Sequence, residues 1–339
     1  MEQASWYPGC RTLRRERARR ILCFSNTVNK IPFGSTGEQV TPLGLGGAPL
    51  ADVSFESGVA TVRRALDLGI RYFDTSPAYG SGLSQAIYGV ALEGRDDVFF
   101  ATKLANFRRP EHHRNETALW AQLGENLRIL RRKHVDLLQV HQSDWQVWWS
   151  ERTPEQQSIG DRDNYDFADS PVLRVLRAAK EEGVCRYVGI TSDHAQPLAQ
   201  ILAGVEVDSC LSAFGYDLLH RGAMKHVEPI TRERGVALIL GAIFRCGLLG
   251  EQRDEWLTDP PPYVPAPVRE RLPSLYALLQ DSGMSLVTLA VRYVLYSPRV
   301  SHVLLGAARP EEIEQSVAAF HAGPLPDDLR DAIDKIAIP

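Results

Sequence analysis

Four polar residues stand at or just after the ends of consecutive apolar segments in the first half of the chain. Asp74 ends the segment IRYFD, and Tyr79 follows it in the sequence SPAYGSG. Lys103 follows DVFFAT, and His141 ends DLLQVH. If these segments are parallel strands of one barrel, their carboxyl ends lie at the same rim, and the four side chains meet there.

These residue types suit proton transfer to or from an oxygen atom while a hydride moves to or from the attached carbon. The pKa of tyrosine, about 10, is too high for efficient donation at neutral pH, and a neighbouring ammonium such as that of Lys103 would lower it. A carboxylate at Asp74 would keep Lys103 charged and oriented. His141 could hold the reacting oxygen in position. Taken singly, each residue has a structural explanation, but the placement of all four at strand ends favours a catalytic role.

Eight short apolar segments alternate with stretches of helical spacing along the chain. The predicted strands are 43–47, 70–74, 97–102, 136–141, 187–191, 208–213, 236–241 and 302–306. The predicted helices are 57–68, 83–93, 115–133, 171–182, 194–203, 221–233, 285–297 and 310–320. Continuously apolar strands are typical of a parallel sheet covered on both faces, and eight strand–helix units favour a closed (β/α)8 TIM barrel in the α/β class. An open dinucleotide-binding sheet is the alternative, since GLGG at 44–47 is glycine-rich and follows a strand, but the full G-x-G-x-x-G pattern is absent.

Three additions to the barrel are predicted. KIPFGSTGEQV, before the first strand, has the pattern of an N-terminal β-hairpin. The segments after strands four and seven are unusually long, and both would emerge at the C-terminal face of the barrel. Residues 1–28 are rich in arginine and form a predicted N-terminal extension, either a mobile tail or a targeting arm, and residues 29–339 form the barrel domain.

Composition narrows the range of partners. Lys and Arg total 38 against 42 Asp and Glu, and a net charge of −4 gives no reason to expect binding to nucleic acid or to a membrane surface. The longest apolar stretches are too short to cross a bilayer.

The five cysteines, at 10, 23, 185, 210 and 246, form no C-x-x-C pair, which indicates free thiols in a reducing, cytoplasmic location. No metal-binding motif is present, and His112 and His113 are interpreted as a solvated pair.

Several motifs resemble those of the aldo-keto reductase superfamily over about residues 30–330. They are FDTSPAYGSGLSQAIYGVAL, ATKL, DLLQVH, RYVGIT and IFRCGLLG followed by PYVPAP. GLGGAPL and the last pair are similar to the branch that contains the D-threo-aldose and L-fucose dehydrogenases and pyridoxal dehydrogenase. The resemblance implies a (β/α)8 barrel and a catalytic tetrad of Asp74, Tyr79, Lys103 and His141.

The resemblance also implies a nicotinamide dinucleotide bound across the barrel mouth. The matching positions are Thr191 and Ser192 for the carboxamide, Tyr216 for the nicotinamide ring, Phe244, Cys246, Gly247 and Leu248 for the pyrophosphate, and Gly306, Ala307, Ala308, Arg309 and Glu312 for the adenosine side. This chain departs from the family pattern at Thr191-Ser192, where many members have Ser-Asn, and at Ala213, where many have Gln. Glutamate at position 312 would repel a 2′-phosphate, so NAD is favoured, with NADP possible because of Arg309.

The expected activity is an NAD(P)-dependent interconversion of an alcohol or sugar hemiacetal with a carbonyl or lactone. An aldose-type dehydrogenase is the favoured enzyme class. A biosynthetic carbonyl reductase and a non-catalytic regulatory subunit are the alternatives. Trp145, Trp148 and Trp149, in the loop after strand four, could offer flat rings to a sugar, or could pack that loop onto the barrel or a partner subunit. A small-molecule substrate is the only partner predicted, and the oligomeric state stays open.

Overall fold

The computed structural model describes residues 28–105, 107–150, 158–160 and 165–338, and its centre is a closed barrel of parallel strands in the order β10-β3-β4-β5-β6-β7-β8-β9. The strands are β1 (Ile31–Pro32), β2 (Gln39–Val40), β3 (Leu43–Gly46), β4 (Tyr72–Asp74), β5 (Phe99–Leu104), β6 (Val135–Val140), β7 (Cys185–Ser192), β8 (Ser209–Ala213), β9 (Ala237–Gly241) and β10 (His302–Gly306). β10 pairs with both β9 and β3, which closes the barrel. The predicted (β/α)8 architecture is confirmed, and the open sheet is excluded.

Helices alternate with the barrel strands as predicted. They are α1 (Phe55–Asp67), α2 (Leu83–Ala91), α3 (Glu116–Leu130), α4 (Pro171–Glu181), α5 (Ala195–Gly204), α6 (Glu228–Arg234), α7 (Ala266–Arg269), α8 (Leu272–Ser282), α9 (Leu286–Leu295), α10 (Pro310–His321) and α11 (Asp327–Lys335). Helices α7, α8 and α11 were not predicted from the sequence. α8 and α11 lie against each other, outside the simple strand–helix repeat.

Helix α4 illustrates why these segments are helical. Proline stands at its first position, where no intrahelical N–H bond is lost. Val172, Val175, Leu176 and Ala179 are buried, and their spacing of three, four and seven residues makes one apolar stripe. The stripe faces the barrel, and the intervening arginines and lysine stay at the surface.

The hairpin of β1 and β2 closes the N-terminal end of the barrel. Their antiparallel pairing, Ile31 with Val40, confirms the predicted hairpin. Phe33, in its turn, is fully buried, and its ring centroid lies 5.0 Å from that of Phe99 and 5.2 Å from that of His302. Aromatic side chains therefore fill the N-terminal end of the barrel, and ligands have access from the opposite, C-terminal rim.

Inward-facing positions at the C-terminal rim divide into two kinds. Side chains alternate inward and outward along each strand, and Leu211 and Leu304 pack inside the barrel. The next inward positions on these and neighbouring strands are small: Gly46, Ala213, Gly241 and Gly306. Across the barrel, β4, β5 and β6 present polar residues instead. One half of the mouth is thus lined by small residues, and the other half by polar side chains.

Two parts of the predicted additions lie outside the described residues. These are residues 1–27, most of the predicted N-terminal extension, and residues 151–157 and 161–164 of the long loop after β6. Val28, the last residue of that predicted extension, is buried in the core. Within the described ranges, no helix has the length and apolar character needed to span a membrane.

Candidate active site

Asp74 and Lys103 form a buried ion pair at the carboxyl ends of β4 and β5. The side chains are 3% and 1% exposed, and Nζ of Lys103 donates to Oδ1 of Asp74. Nζ also donates to the carbonyl oxygen of Thr75 at 2.8 Å. Burial disfavours a charged ammonium, but Asp74 and Tyr79 together outweigh it, so that the pKa of Lys103 is raised and the lysine stays protonated.

Tyr79 lies beside this ion pair, in the short helix Tyr79–Gly82 that follows β4. Nζ of Lys103 is 5.1 Å from the centroid of its ring. Burial raises the pKa of the Tyr79 hydroxyl, the charge of Lys103 lowers it, and Asp74 and Asp193 raise it, with a net increase above the ordinary value. The predicted lowering effect of Lys103 is therefore present, but the pKa of Tyr79 is raised overall because desolvation exceeds the effect of the ammonium.

His141 follows β6 and completes the cluster. Its ring meets that of Tyr79 edge to face, with centroids 5.5 Å apart, and its Nδ1 lies 3.3 Å from the hydroxyl oxygen of Ser76. Burial and the nearby Lys103 charge lower its pKa to about 3. The imidazole is therefore neutral at physiological pH, with one nitrogen able to donate and the other to accept.

Gln139 is a member of the cluster that was not predicted from the sequence. Its Nε2 donates to Oδ2 of Asp74 at 2.8 Å, so the carboxylate is bound on both oxygens. Asn126 of α3 donates to the carbonyl oxygen of Lys103 at 3.0 Å. The two-residue period of a strand places Gln139 on the same face as His141, and that spacing could have revealed it.

Thr191 and Ser192, at the end of β7, have different surroundings. Both are buried. The Thr191 hydroxyl accepts from the backbone N–H of Gln142 at 3.2 Å, and it lies on the inward face of the barrel by strand alternation. The Ser192 hydroxyl accepts from the backbone N–H of His194 at 2.9 Å and caps that turn. Thr191 is therefore better placed than Ser192 to meet a carboxamide.

Tyr216 does not lie open at the barrel mouth. It is 4% exposed, its ring stacks on that of Tyr293 with centroids 5.6 Å apart, and Nη2 of Arg330 donates to its hydroxyl at 3.0 Å. These contacts belong to α9 and α11. Phe214, two residues earlier and partly exposed, is the aromatic residue nearest the end of β8. The structure thus gives Tyr216 a packing role and makes Phe214 the better candidate for a ring at the rim.

The predicted pyrophosphate segment forms a tight loop after β9. Backbone φ is positive at Ala242, Arg245, Cys246 and Gly247, with values of 55°, 48°, 52° and 88°. Cys246 is exposed, Phe244 is partly buried and Leu248 is buried. Left-handed backbone at non-glycine residues concentrates at functional sites, where the surrounding structure holds it in place.

At the end of β10 the chain turns into helix α10. Gly306, Ala308 and Arg309 are accessible, and Ala307 is buried. The carboxylate of Glu312 accepts from the backbone N–H of Ala308 at 2.8 Å, so one acid is already held at this helix N-terminus.

The half of the mouth lined by small residues is where a flat ring of nicotinamide type could lie beside the polar cluster. A Cβ added at Gly46 would meet its nearest neighbours at 3.6 Å, and one added at Gly241 at 3.5 Å, so a methyl group would make only ordinary van der Waals contact at either position. Small residues there leave space beside the polar cluster. Backbone-rich loops after β9 and β10 flank this space, which fits a dinucleotide without a separate dinucleotide-binding domain.

The tryptophans of the long loop separate into two groups. Trp148 and Trp149 are fully buried. Trp148 packs edge to face on His113 with centroids 4.6 Å apart, and Trp149 donates from Nε1 to the carbonyl oxygen of Ser143 at 2.5 Å. Neither ring has a face left for a substrate, so these two pack the loop onto the barrel. Trp145 is partly exposed and is the one tryptophan of the three that could contact a ligand.

The predicted solvated histidine pair, the cysteines and possible metal ligands can also be located in the structure. His113 is buried, not solvated, and burial lowers its pKa. Cys185 and Cys210 are buried free thiols, and Cys10 and Cys23 lie outside the described residues. In the part of the chain that the structure describes, no three His, Cys, Asp or Glu side chains are grouped as metal ligands.

Comparisons of sequence and structure relate this chain to known proteins. Residues 42–338 match the model of the Aldo/keto reductase family. L-galactose dehydrogenase of Arabidopsis thaliana is 29% identical over 300 residues, covering 85% of this chain and 86% of that protein. D-threo-aldose 1-dehydrogenase of a Pseudomonas species is 26% identical over 327 residues, covering 87% and 93%. The holo form of the aldo-keto reductase AKR11C1 from Bacillus halodurans superposes with a TM-score of 0.71 at 24% identity, covering 91% and 96%.

Proposed function

The chain belongs to the aldo/keto reductase family and is an NAD(P)-dependent oxidoreductase, and we propose that it is an aldose-type dehydrogenase in which Tyr79 transfers the proton. The observation that carries the proposal is the buried Asp74–Lys103 pair with the Tyr79 ring 5.1 Å from the ammonium. Packing alone does not require a buried cation with two acceptors beside a phenol, because burying the charges costs desolvation free energy. The arrangement therefore favours a functional role.

Each residue of the cluster has a separate task in this proposal. Tyr79 takes the proton of the substrate hydroxyl, because Lys103 stabilises the phenolate that must form. Asp74, bound on its second oxygen by Gln139, holds Lys103 in place and protonated. Neutral His141 donates a hydrogen bond to the reacting oxygen and fixes its position. In the reverse direction, the neutral phenol returns the same proton.

NAD(P), when bound, would supply the acceptor for the hydride that leaves the carbon carrying this hydroxyl. Thr191, the loop at Phe244, Cys246, Gly247 and Leu248, and the segment from Gly306 to Glu312 would hold the dinucleotide. Glu312 supports a preference for NAD, because its carboxylate at the N-terminus of α10 would repel a 2′-phosphate bound there. Arg309 is exposed and lies next to it, so some use of NADP is compatible with this arrangement.

Two features support a sugar hemiacetal, oxidised to a lactone, as the substrate. Relatives of this chain include enzymes named for L-galactose and for D-threo-aldoses. The rim is polar on one side and carries Trp145, partly exposed, in the adjoining loop, a combination that suits the hydroxyls and the flat face of a pyranose.

A substrate panel tests the proposal. Purified protein is assayed for NAD+ and NADP+ reduction with aldoses, simple alcohols and pyridoxal, and for NADH and NADPH oxidation with aldehydes and ketones. The proposal predicts NAD+ reduction with one or more aldoses and formation of the lactone. Activity confined to reduction of apolar carbonyl compounds would identify a carbonyl reductase instead, and dinucleotide binding without turnover would support a regulatory subunit.

A further inference from the structure

A buried ion pair joins the loops after β8 and β9, and the proposed chemistry does not use it. Nε of Arg245 donates to Oδ2 of Asp217 at 2.7 Å, and its Nη2 donates to the carbonyl oxygen of Phe214 at 2.7 Å. Asp217 is fully buried, and its other oxygen accepts the backbone N–H groups of Leu219 and His220 at 2.8 and 2.9 Å. One guanidinium therefore ties the loop after β9 to the loop after β8.

The residues that this pair joins have strained backbone. Arg245 and Cys246 have φ of 48° and 52°, and Phe214, whose carbonyl oxygen Arg245 binds, has φ of 56°. Left-handed conformation at residues other than glycine is unfavourable and persists where neighbouring contacts fix it. The planar, forked guanidinium of Arg245 supplies such contacts in a fixed geometry.

The conformation that results leaves backbone donors for a ligand. The N–H groups of Arg245, Gly247 and Leu248 bind carbonyl oxygens within the loop. The N–H of Cys246, like those of Ile243 and Phe244, has no acceptor in the described part of the chain. Backbone N–H groups presented by left-handed turns form concave sites for anions.

We propose that Arg245, through Asp217, is a positioning residue that holds the loop after β9 in its dinucleotide-binding conformation before the cofactor binds. The inference rests on the proposed function, since it assigns the pyrophosphate to this loop. Asp217 neutralises the Arg245 charge, so Arg245 acts through the shape of the backbone and not as a direct ligand of phosphate. Pre-formation of the loop removes an ordering cost from binding.

The experiment compares Arg245→Ala, Arg245→Lys and Asp217→Asn with a matched control. Arg234→Ala is the control, because Arg234 likewise bridges two segments, with Nη2 donating to the carbonyl oxygen of Val205 at 2.8 Å and to Glu206 at 2.7 Å. It lies at the end of α6 that leads into β9, so it is at the opposite end of the barrel. Hydrogen exchange of the amides at 242–250 is measured without cofactor, and the NAD+ Kd is measured by quenching of tryptophan fluorescence.

For Arg245→Ala and Asp217→Asn we expect faster exchange in the loop and an NAD+ Kd and KM raised about tenfold, as lost pre-organisation predicts. kcat at saturating NAD+ should stay within about threefold of the wild type, because the loop binds the cofactor and does not transfer the proton. For Arg245→Lys we expect exchange, Kd and KM between those of the wild type and Arg245→Ala. Lysine keeps the positive charge but lacks the paired donors of the guanidinium. Arg234→Ala should leave exchange at 242–250, Kd and KM unchanged even if its melting temperature falls.

Asp217→Asn separates this inference from a direct phosphate contact. If Arg245 bound phosphate itself, removing the neutralising carboxylate would leave NAD+ binding unchanged or tighter, and that result would overturn the positioning role. Unaltered exchange in Arg245→Ala would overturn it as well. A wild-type protein that bound neither NAD+ nor NADP+ would overturn the proposed function itself and with it the purpose assigned to this contact.

Discussion

The ammonium group of Lys103 lies 5.1 Å from the centre of the Tyr79 ring while it donates to the buried carboxylate of Asp74. The Lys103 ammonium is thus held by the Asp74 carboxylate, and its charge also stabilises the phenolate form of Tyr79. Burial raises the pKa of Tyr79 more than Lys103 lowers it, so the resting phenol is protonated. Proton removal from substrate must therefore become easier as the pH rises.

Tyr79→Phe should retain cofactor binding and lose turnover. The substitution removes only the hydroxyl, and general acid–base catalysis contributes about 10²–10⁴-fold to rate. We expect kcat to fall by at least this factor while the NAD+ Kd changes less than about twofold. Stopped-flow kinetics and fluorescence titration measure the two quantities. Turnover close to that of the wild type would contradict the assignment of Tyr79 as the proton carrier.

The oxidation reaction should accelerate with pH through the neutral and alkaline range. Its rate depends on the phenolate form of Tyr79, whose pKa lies above the ordinary value. His141 is neutral above its pKa of about 3, so no inflection from this imidazole is expected near pH 6.5. The pH dependence of kcat/KM for sugar oxidation checks both points, and a His141-dependent inflection near neutrality would argue against the neutral imidazole.

Asp193→Asn should shift that pH dependence to lower pH. The Asp193 charge raises the pKa of Tyr79, so its removal makes the phenolate easier to form. Glu181→Gln, a charge removal at the exposed end of α4, is the matched control and should leave the profile in place. The measurement is kcat/KM against pH for the three proteins. A shift to higher pH for Asp193→Asn would show that the assigned sign is wrong.

Lys103→Met should destabilise the protein by about 3–5 kcal/mol, because it leaves the buried Asp74 carboxylate without its cation. The double substitution Asp74→Asn with Lys103→Met should regain much of this stability and remain inactive. Arg64→Met, which breaks the exposed pair with Glu314, is the control and should cost at most about 1 kcal/mol. Denaturant unfolding gives the free energies. Equal losses for the buried and the exposed pair would show that burial does not set the cost of removing the cation.

Glu312→Lys should move the cofactor preference toward NADP. The substitution replaces a carboxylate at the N-terminus of α10 with a cation, and we expect the ratio of kcat/KM for NADP+ over NAD+ to rise at least about tenfold. Glu314→Lys introduces the same charge change two residues later, on a different side of the helix, and should alter the ratio much less. An unchanged ratio in Glu312→Lys would place the 2′-phosphate elsewhere.

Trp148→Ala should lower stability and leave substrate recognition intact. Truncation of a fully buried tryptophan costs about 3–5 kcal/mol, whereas the KM for sugar should stay the same. Trp145→Ala is the complementary variant, and it should raise the sugar KM with little loss of stability. Thermal unfolding and steady-state kinetics test the pair. An altered KM in Trp148→Ala with normal stability would restore this residue to the substrate site.

The sequence was informative wherever function and fold depend on local pattern. Short apolar segments alternating with amphipathic ones define the eight strands, and a residue at the carboxyl end of such a strand must reach the barrel rim. That rule places Asp74, Lys103 and His141 together without any coordinates. The same rule, applied with the two-residue period, would have added Gln139.

Contacts between distant parts of the chain were decided only by the tertiary structure. Tyr216 packs against Tyr293 and Arg330, and Arg245 binds Asp217, which stands 28 residues earlier. No local pattern distinguishes these residues from ligand-binding ones, because burial depends on which helix or loop covers them. The sign of the Tyr79 pKa shift has the same origin, since desolvation is a property of the whole surroundings and exceeds the effect of the neighbouring lysine.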